Sequence, residues 1–451
     1  MALTMGQKAG WGLCDLSLLT FIMIKQSFVI SFLTLFLDVP ILLAGWTITS
    51  ILIFDLLLDG LIGNWSDNTP GRLGRRAPWM LLGTFLMVGG SVAMFQVPEG
   101  QSEIQNLFWF SIAFAVATIG FTCINVPYTA MGAEISHSSE DWNGIRGWRV
   151  AFATLGLMLG GIFIPYIAND TREGFGLAIL MVSPVLFFAP LISVLMTRRA
   201  HSVFQPITVS DRGMFKHVYE NSAFITLVVV FGLMALAVAI ILAGVPFYAA
   251  FLFSNDGQHL FSGLLDSLGM ISYMFLALVI GSILSQPIWS LLGKALGGLV
   301  TLIISILMFI VLEFMIYAIL PTSNSLVIGL VLMFSGAVTT AYRQVPWTVY
   351  PDLIEATKRK TGLQIEGVFQ IAWISGQRIA YAIAPLVLCA ILGLSGWQQS
   401  VDGFINQTEE AIDALRFTLT LVPGIILMVA LVLLTFVYIP LARRELAILA
   451  A

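Results

Sequence analysis

Charge is the scarcest property of this chain: 10% of its residues are Asp, Glu, Lys or Arg, while 58% are apolar. Soluble domains carry about 25% charged residues, so an ordinary soluble enzyme is excluded. Cysteine is nearly as rare. Cys14, Cys123 and Cys389 each lie in an apolar run, and an odd number argues against a disulfide framework. The four histidines, His137, His201, His217 and His259, are expected in connections, which leaves no histidine relay through a membrane. There is no glycine-rich phosphate loop, metal-ligand cluster or nucleophile elbow. No catalytic residue, organic cofactor or nucleic-acid partner is therefore expected.

What the chain does have is long apolar runs. Twelve reach the length of about 20 residues needed to cross a bilayer, over 10–37, 41–64, 79–97, 107–135, 147–168, 176–197, 223–253, 265–291, 298–320, 325–350, 365–394 and 413–440. The reading is an all-α polytopic membrane protein with twelve transmembrane helices. Asp15 and Lys25 interrupt the first run, which is also too long for the core of a cleavable signal peptide. Placing both termini inside puts fifteen Lys and Arg in cytoplasmic connections and leaves only Arg172 and Arg416 outside, as the positive-inside rule requires. The expected location is the cell (inner or plasma) membrane, with the lipid bilayer as surroundings.

Residues 198–222 form the longest connection of ordinary polarity and read as a linker between a six-helix bundle over 1–197 and another over 223–451. The halves echo one another. Val126-Pro127-Tyr128-Thr129 returns as Val345-Pro346-Trp347-Thr348, an offset of 219, and Ile145-Arg146-Gly147 as Ile365-Glu366-Gly367, an offset of 220. Repeated halves are a transporter signature, with substrate expected at the midplane between them.

The ionisable residues inside the spans are the candidate site. Asp55 and Asp59 stand four apart, on one helix face. Two carboxylates at that depth are costly unless a shared cation or a proton balances them. The loop after them carries Asp67, Arg72, Arg75 and Arg76, charges suited to pair across the cytoplasmic helix ends as a conformational gate. Asp15 and Gln26, eleven residues apart, fall close to one face; Lys25 points about 80° away from Asp15, towards some other partner. Thr122, Asn125 and Thr129 form a polar stripe, for which interhelical hydrogen bonding is the plainer reading. Thr340, Arg343 and Trp347 share a face in span 10, as Gln370, Gln377 and Tyr381 do in span 11, beside Arg378. Glu313 is an intramembrane acid without an assigned role.

Twelve spans, a central linker and the pattern Gly63-x3-Asp67…Arg72-x-Gly74-Arg75-Arg76 resemble the major facilitator superfamily. More narrowly, the chain resembles the glycoside–pentoside–hexuronide:cation symporters, the melibiose-permease family. The resemblance rests on Gly12-Leu13-Cys14-Asp15, Asp55-x3-Asp59-Gly60-Leu61-Ile62-Gly63, Gly74-Arg75-Arg76-Ala77-Pro78-Trp79, Asn125-Val126-Pro127-Tyr128, Pro351-Asp352-Leu353-Ile354 and Glu366-Gly367-Val368-Phe369. It implies the major facilitator fold and a secondary active symporter importing a sugar or sugar acid by alternating access.

It also implies roles. Asp55, Asp59 and Thr122 would hold the coupling ion, H+ or Na+, with any Na+ at Asp55 and Asp59. Leu58 stands where the family has an asparagine, which removes an oxygen ligand and favours the proton. The substrate set would be Asp15, Gln26, Asn125, Thr129, Arg149, Arg343, Trp347, Gln377 and Arg378, with Asp15 accepting from substrate hydroxyls. Asn125 replaces a family acid, and Arg343 stands where sugar-binding relatives present an aromatic ring. One clear acid against three arginines, with Lys25 in reserve, points to an anionic sugar such as a hexuronide or a sulfonated sugar. A monomer is expected. The competing readings are a symporter of lysolipid or another amphiphile, and a non-transporting assembly or sensor protein on the same scaffold.

Overall fold

The computed structural model describes residues 3–70, 74–135, 139–198, 212–253, 268–322, 324–362, 365–400 and 405–450. Among them, twelve helices are long and apolar enough to cross a membrane: Met5–Phe36, Ile41–Asn68, Ala77–Phe95, Glu103–Gly132, Gly144–Ala168, Arg172–Thr197, Ser222–Leu252, Met270–Leu296, Gly298–Ile319, Ser325–Thr361, Gly367–Leu394 and Glu409–Glu445. We number them spans 1 to 12. A bilayer offers backbone groups no water, so a spanning segment must satisfy them internally, as a helix does.

Polar residues mark where the helices start and stop. The Thr4 hydroxyl accepts from the Gln7 amide while the Gln7 side chain accepts from the Thr4 amide, closing a capping box ahead of span 1. Thr171, Asn221, Asn324 and Thr408 cap spans 6, 7, 10 and 12 with a side-chain oxygen that accepts from first-turn amides. Span 10 ends at Gly362, which is left-handed at φ 69°, behind Lys358, Arg359 and Lys360 in its last turn. Span 10 is also broken once, at Val345–Pro346, because proline has no amide to continue the ladder. The sequence places its end near 350; the helix runs on to Thr361.

Among the described residues, four spans carry a π-helical turn: Ile24–Phe28, Leu159–Phe163, Tyr248–Leu252 and Leu433–Tyr438. Such a turn inserts one extra residue and re-aims the side chains beyond it.

Two compact units make up the chain. The first comprises residues 1–206 with the short segments 267–275 and 398–406; the second comprises 207–266, 276–397 and 407–451. In the first unit, span 1 is the central helix. Its most apolar stretch is 78% buried, against 28–56% for spans 3 to 6, and it is packed on spans 5 and 6. Span 4 lies against span 3 at backbone distance. A Cβ on Gly83 would meet the Gly120 carbonyl at 2.6 Å, and one on Gly90 the Ala117 nitrogen at 2.5 Å. In the second unit the same device joins spans 8 and 10, where Gly281 abuts the Met333 carbonyl and Gly336 the Leu278 carbonyl. Close approach through small residues is how helices associate where lipid removes the hydrophobic drive.

The connection expected over 198–222 is not plain linker. Arg212–Glu220 is a helix, and His217 lies on it, its Nδ1 3.3 Å from the Glu220 carboxylate. His217 is therefore helical rather than in a loop, though still outside the spans. A nine-residue polar helix has no membrane-length apolar run to reveal it in the sequence. His137, His201 and His259 lie outside the described residues.

Candidate functional site

Two glycines bring the first cluster together. Gly12 lets span 1 approach the backbone of span 5, where an added Cβ would stand 3.0 Å from the Arg149 nitrogen. Gly132 on span 4 leaves the space filled by the indole of Trp11. With the three helices so close, Arg149 reaches Asp15 with two donors, Nε at 2.6 Å from Oδ2 and Nη2 at 3.2 Å from Oδ1. The Tyr128 hydroxyl donates to the same Oδ2 at 2.6 Å. Trp11 stacks on Tyr128, with ring centroids 4.4 Å apart, and the Arg149 guanidinium lies over both rings at 5.2 and 5.5 Å. Asp15 is 3% exposed. Its carboxylate is thus balanced by one positive charge and three donors, which a buried charge requires.

The second cluster lies further along span 1. Lys25 sits in the π-helical turn Ile24–Phe28, and its ammonium is 3.8 Å from Asp55 Oδ2 of span 2. The other oxygen, Oδ1, accepts from the Thr122 hydroxyl of span 4 at 2.5 Å. The ammonium also lies over the rings of Phe121 at 4.7 Å and Phe21 at 6.0 Å. The Lys25 and Asp55 side chains are 12% and 10% exposed. Asp59, one helical turn beyond Asp55, is half-buried.

At the end of span 2, Arg76 donates from Nε and Nη2 to Asp67 Oδ1, at 3.1 and 2.8 Å, and Trp79 Nε1 donates to Thr69 at 2.8 Å. Arg76 is buried. Arg75 is half-buried, and Arg72 lies outside the described residues.

In the second unit, Gln377 donates to the Tyr342 hydroxyl at 2.7 Å, and Tyr381 hydrogen-bonds the same tyrosine. Tyr342 begins an aromatic run through Phe231, Trp373 and Tyr350 to Trp347. Arg343 and Trp347 are exposed; Gln26, Asn125 and Arg378 are half-buried. Thr129 is exposed, and its hydroxyl bonds the carbonyls of Asn125 and Val126 in its own helix. Glu313 is 2% exposed, within the same unit.

The structure therefore joins Asp15 with Arg149, Asp55 with Thr122, and Asp67 with Arg76. It changes the charge count drawn from the sequence. Arg149 and Lys25 are not surplus cations, because each stands against a carboxylate. Trp11, Tyr128 and Trp373 were not singled out by sequence reasoning, although Tyr128 lies inside the Val-Pro-Tyr-Thr repeat and four residues before Gly132, on one helix face. Among the described residues, no group of three or more His, Cys, Asp or Glu could hold a metal ion.

The family model for MFS/sugar transport proteins matches residues 8–442. The chain is 23% identical to the putative glycoside/cation symporter YagG of Escherichia coli, over 98% of this chain and 95% of that one. It is 21% identical to the sodium-dependent lysophosphatidylcholine symporter 1 of Xenopus tropicalis, over 89% and 82%. A solved bacterial homologue of the human lysosomal transporter Spinster superposes with a TM-score of 0.65 at 13% identity, covering 97% of this chain and 96% of that one, a likeness of fold. With twelve apolar spans and buried ionisable residues between them, the chain belongs to the MFS/sugar transport protein family of the major facilitator superfamily, and is a multi-pass membrane symporter rather than an enzyme.

Proposed function

We propose that this symporter couples import of a sugar or sugar acid to a cation, by alternating access, with the proton as the coupling ion. The observation that carries the reading is the buried set Lys25–Asp55–Thr122 with Asp59 one turn away. Ionisable side chains within a span are rare and mark ion and substrate pathways. Of the Asp15–Arg149–Tyr128–Trp11 cluster, the Arg149 side chain alone stays partly exposed, at 35%, the others being buried, so Arg149 is the donor it offers a sugar. The similarity to a glycoside/cation symporter supports the substrate class.

The preference for an anionic sugar now rests on the exposed Arg343, since Arg149 is balanced by Asp15. Neutral glycosides therefore enter the proposal on equal terms with uronates.

The test is uptake by reconstituted proteoliposomes under imposed proton or sodium gradients. Neutral glycosides, uronates, sulfonated sugars and lysophosphatidylcholine compete against a labelled sugar, in wild type and in Arg343→Gln. Proton-driven accumulation competed by sugars is the expected result. Competition by lysophosphatidylcholine alone would move the chain to the other class of relative.

A further inference from the structure

The Asp55 site, as built, does not fit a sodium ion, and the misfit has an identifiable cause. Sodium needs several oxygens turned inward around it. Of Asp55's two oxygens, Oδ1 takes the Thr122 hydroxyl hydrogen at 2.5 Å and Oδ2 faces the Lys25 ammonium at 3.8 Å. One turn along span 2, Asp59 adds a second, half-buried carboxylate with its Oδ1 enclosed, while Leu58 beside it brings no oxygen. Around that ammonium the structure also presents aromatic rings, Phe121 at 4.7 Å and Phe21 at 6.0 Å from the same nitrogen. A carboxylate with ring faces beside it is a cage for an organic ammonium, because the ring quadrupole attracts a cation without coordinating it.

Backbone geometry supports the same assignment. An unbroken α-helix turns by about 100° per residue. The π-helical turn Ile24–Phe28 adds a residue in the turn that carries Lys25, and such turns are frequent at functional sites. Lysine is the residue for this role: its ammonium is a compact point charge on a four-carbon stem, able to enter and leave a site of fixed geometry.

We propose that the Lys25 ammonium is the tethered resident cation of the Asp55 site, and that it closes this site to alkali cations. The inference rests on the symporter reading above but is tested without transport. A sodium ion entering beside Lys25 would add a second positive charge to a site with little water to screen it. Removing the ammonium should therefore create a sodium site where none existed.

The test is thermal unfolding of purified protein in detergent, with NaCl exchanged for choline chloride at constant ionic strength, for wild type, Lys25→Met and Lys25→Met/Asp55→Asn. Wild type is expected to show no sodium-dependent shift. Lys25→Met should gain a saturable upward shift at millimolar sodium, since ligand binding to the folded state alone stabilises it. The double variant should lose that gain. A sodium shift in wild type that Asp55→Asn abolishes would overturn the proposal, as would a folded Lys25→Met indifferent to sodium. Should Lys25→Met not fold, two measurements still decide. Scintillation binding of radioactive sodium to wild type is expected to show no Asp55-dependent signal, and Lys25→Arg is expected to fold and stay indifferent to sodium. Binding by either protein would refute the tethered cation. Loss of sugar uptake with these shifts intact would count against the transport reading alone.

Discussion

Replacing Asp15 by asparagine tests most directly whether the span 1–4–5 cluster holds the first unit together. The substitution keeps shape and one acceptor oxygen but removes the charge that faces Arg149. Breaking a buried ion pair on one side costs about 3–5 kcal/mol. The Arg149 side chain keeps 35% of its exposure, so solvent compensates part of the loss, and about 2–3 kcal/mol is the expected destabilisation. The assay can use the chain's own thiols, because Cys14, Cys123 and Cys389 are all buried and free. A thiol-reactive fluorophore then reports unfolding as those side chains come into reach. Asp15→Asn and Arg149→Gln should each lower the midpoint by several degrees. The double variant should fall short of the sum by at least about 1 kcal/mol, the coupling expected of contacting charges. A midpoint for Asp15→Asn equal to wild type, or strict additivity, would refute the reasoning.

Three further outcomes are expected. Asp59→Asn should abolish cation-driven accumulation while substrate exchange persists, measured in vesicles with and without an imposed gradient; unchanged concentrative uptake would remove span 2 from the ion pathway. Arg76→Gln, which takes two donors from Asp67, should cost about 1–2 kcal/mol and slow exchange, and Asp67→Asn should do the same; a variant normal in both stability and exchange rate would leave these charges without a gating role. Asp170, in the connection after span 5, has its carboxyl raised above the ordinary range by burial. An acid with a raised folded value contributes most below its unfolded value of about 4 and loses that contribution as pH climbs through the folded one. Asp170→Asn, which also tolerates the left-handed backbone there (φ 53°), should flatten the decline in thermal midpoint above pH 4; an identical slope in both proteins would contradict it.

How far the sequence could be read depends on whether a feature is local. The spans were legible because each is a long, predominantly apolar run, and the Asp55–Asp59 spacing and the Asp67…Arg76 loop are short-range patterns. Tyr128 and Trp11 were not, because their importance lies in the mutual rotation of spans 1 and 4, which no single helix encodes. The polar stripe through Thr129 pointed one residue to the side of Tyr128. Lys25 could be assigned a partner of its own but not Asp55, since a helical wheel drawn at constant pitch cannot anticipate the π-turn at Ile24–Phe28. The Arg212–Glu220 helix escaped for a third reason: it is short and polar, and composition alone made it a connection.

The close seam between spans 3 and 4 also limits how this protein could be engineered. Exchanging helix glycines for alanine is a routine thermostabilisation step, each gaining about 0.5–1 kcal/mol where the site is open. Gly89 and Gly90 are neighbours in span 3 with opposite fates under that rule. Gly89 is exposed, with nothing within 4 Å of an added methyl, whereas a methyl on Gly90 would stand 2.5 Å from the Ala117 nitrogen and 2.7 Å from the Ala113 carbonyl. A library that scores residues by helix propensity alone would treat the two alike, and would wedge apart the tightest seam of the first unit while strengthening the residue beside it.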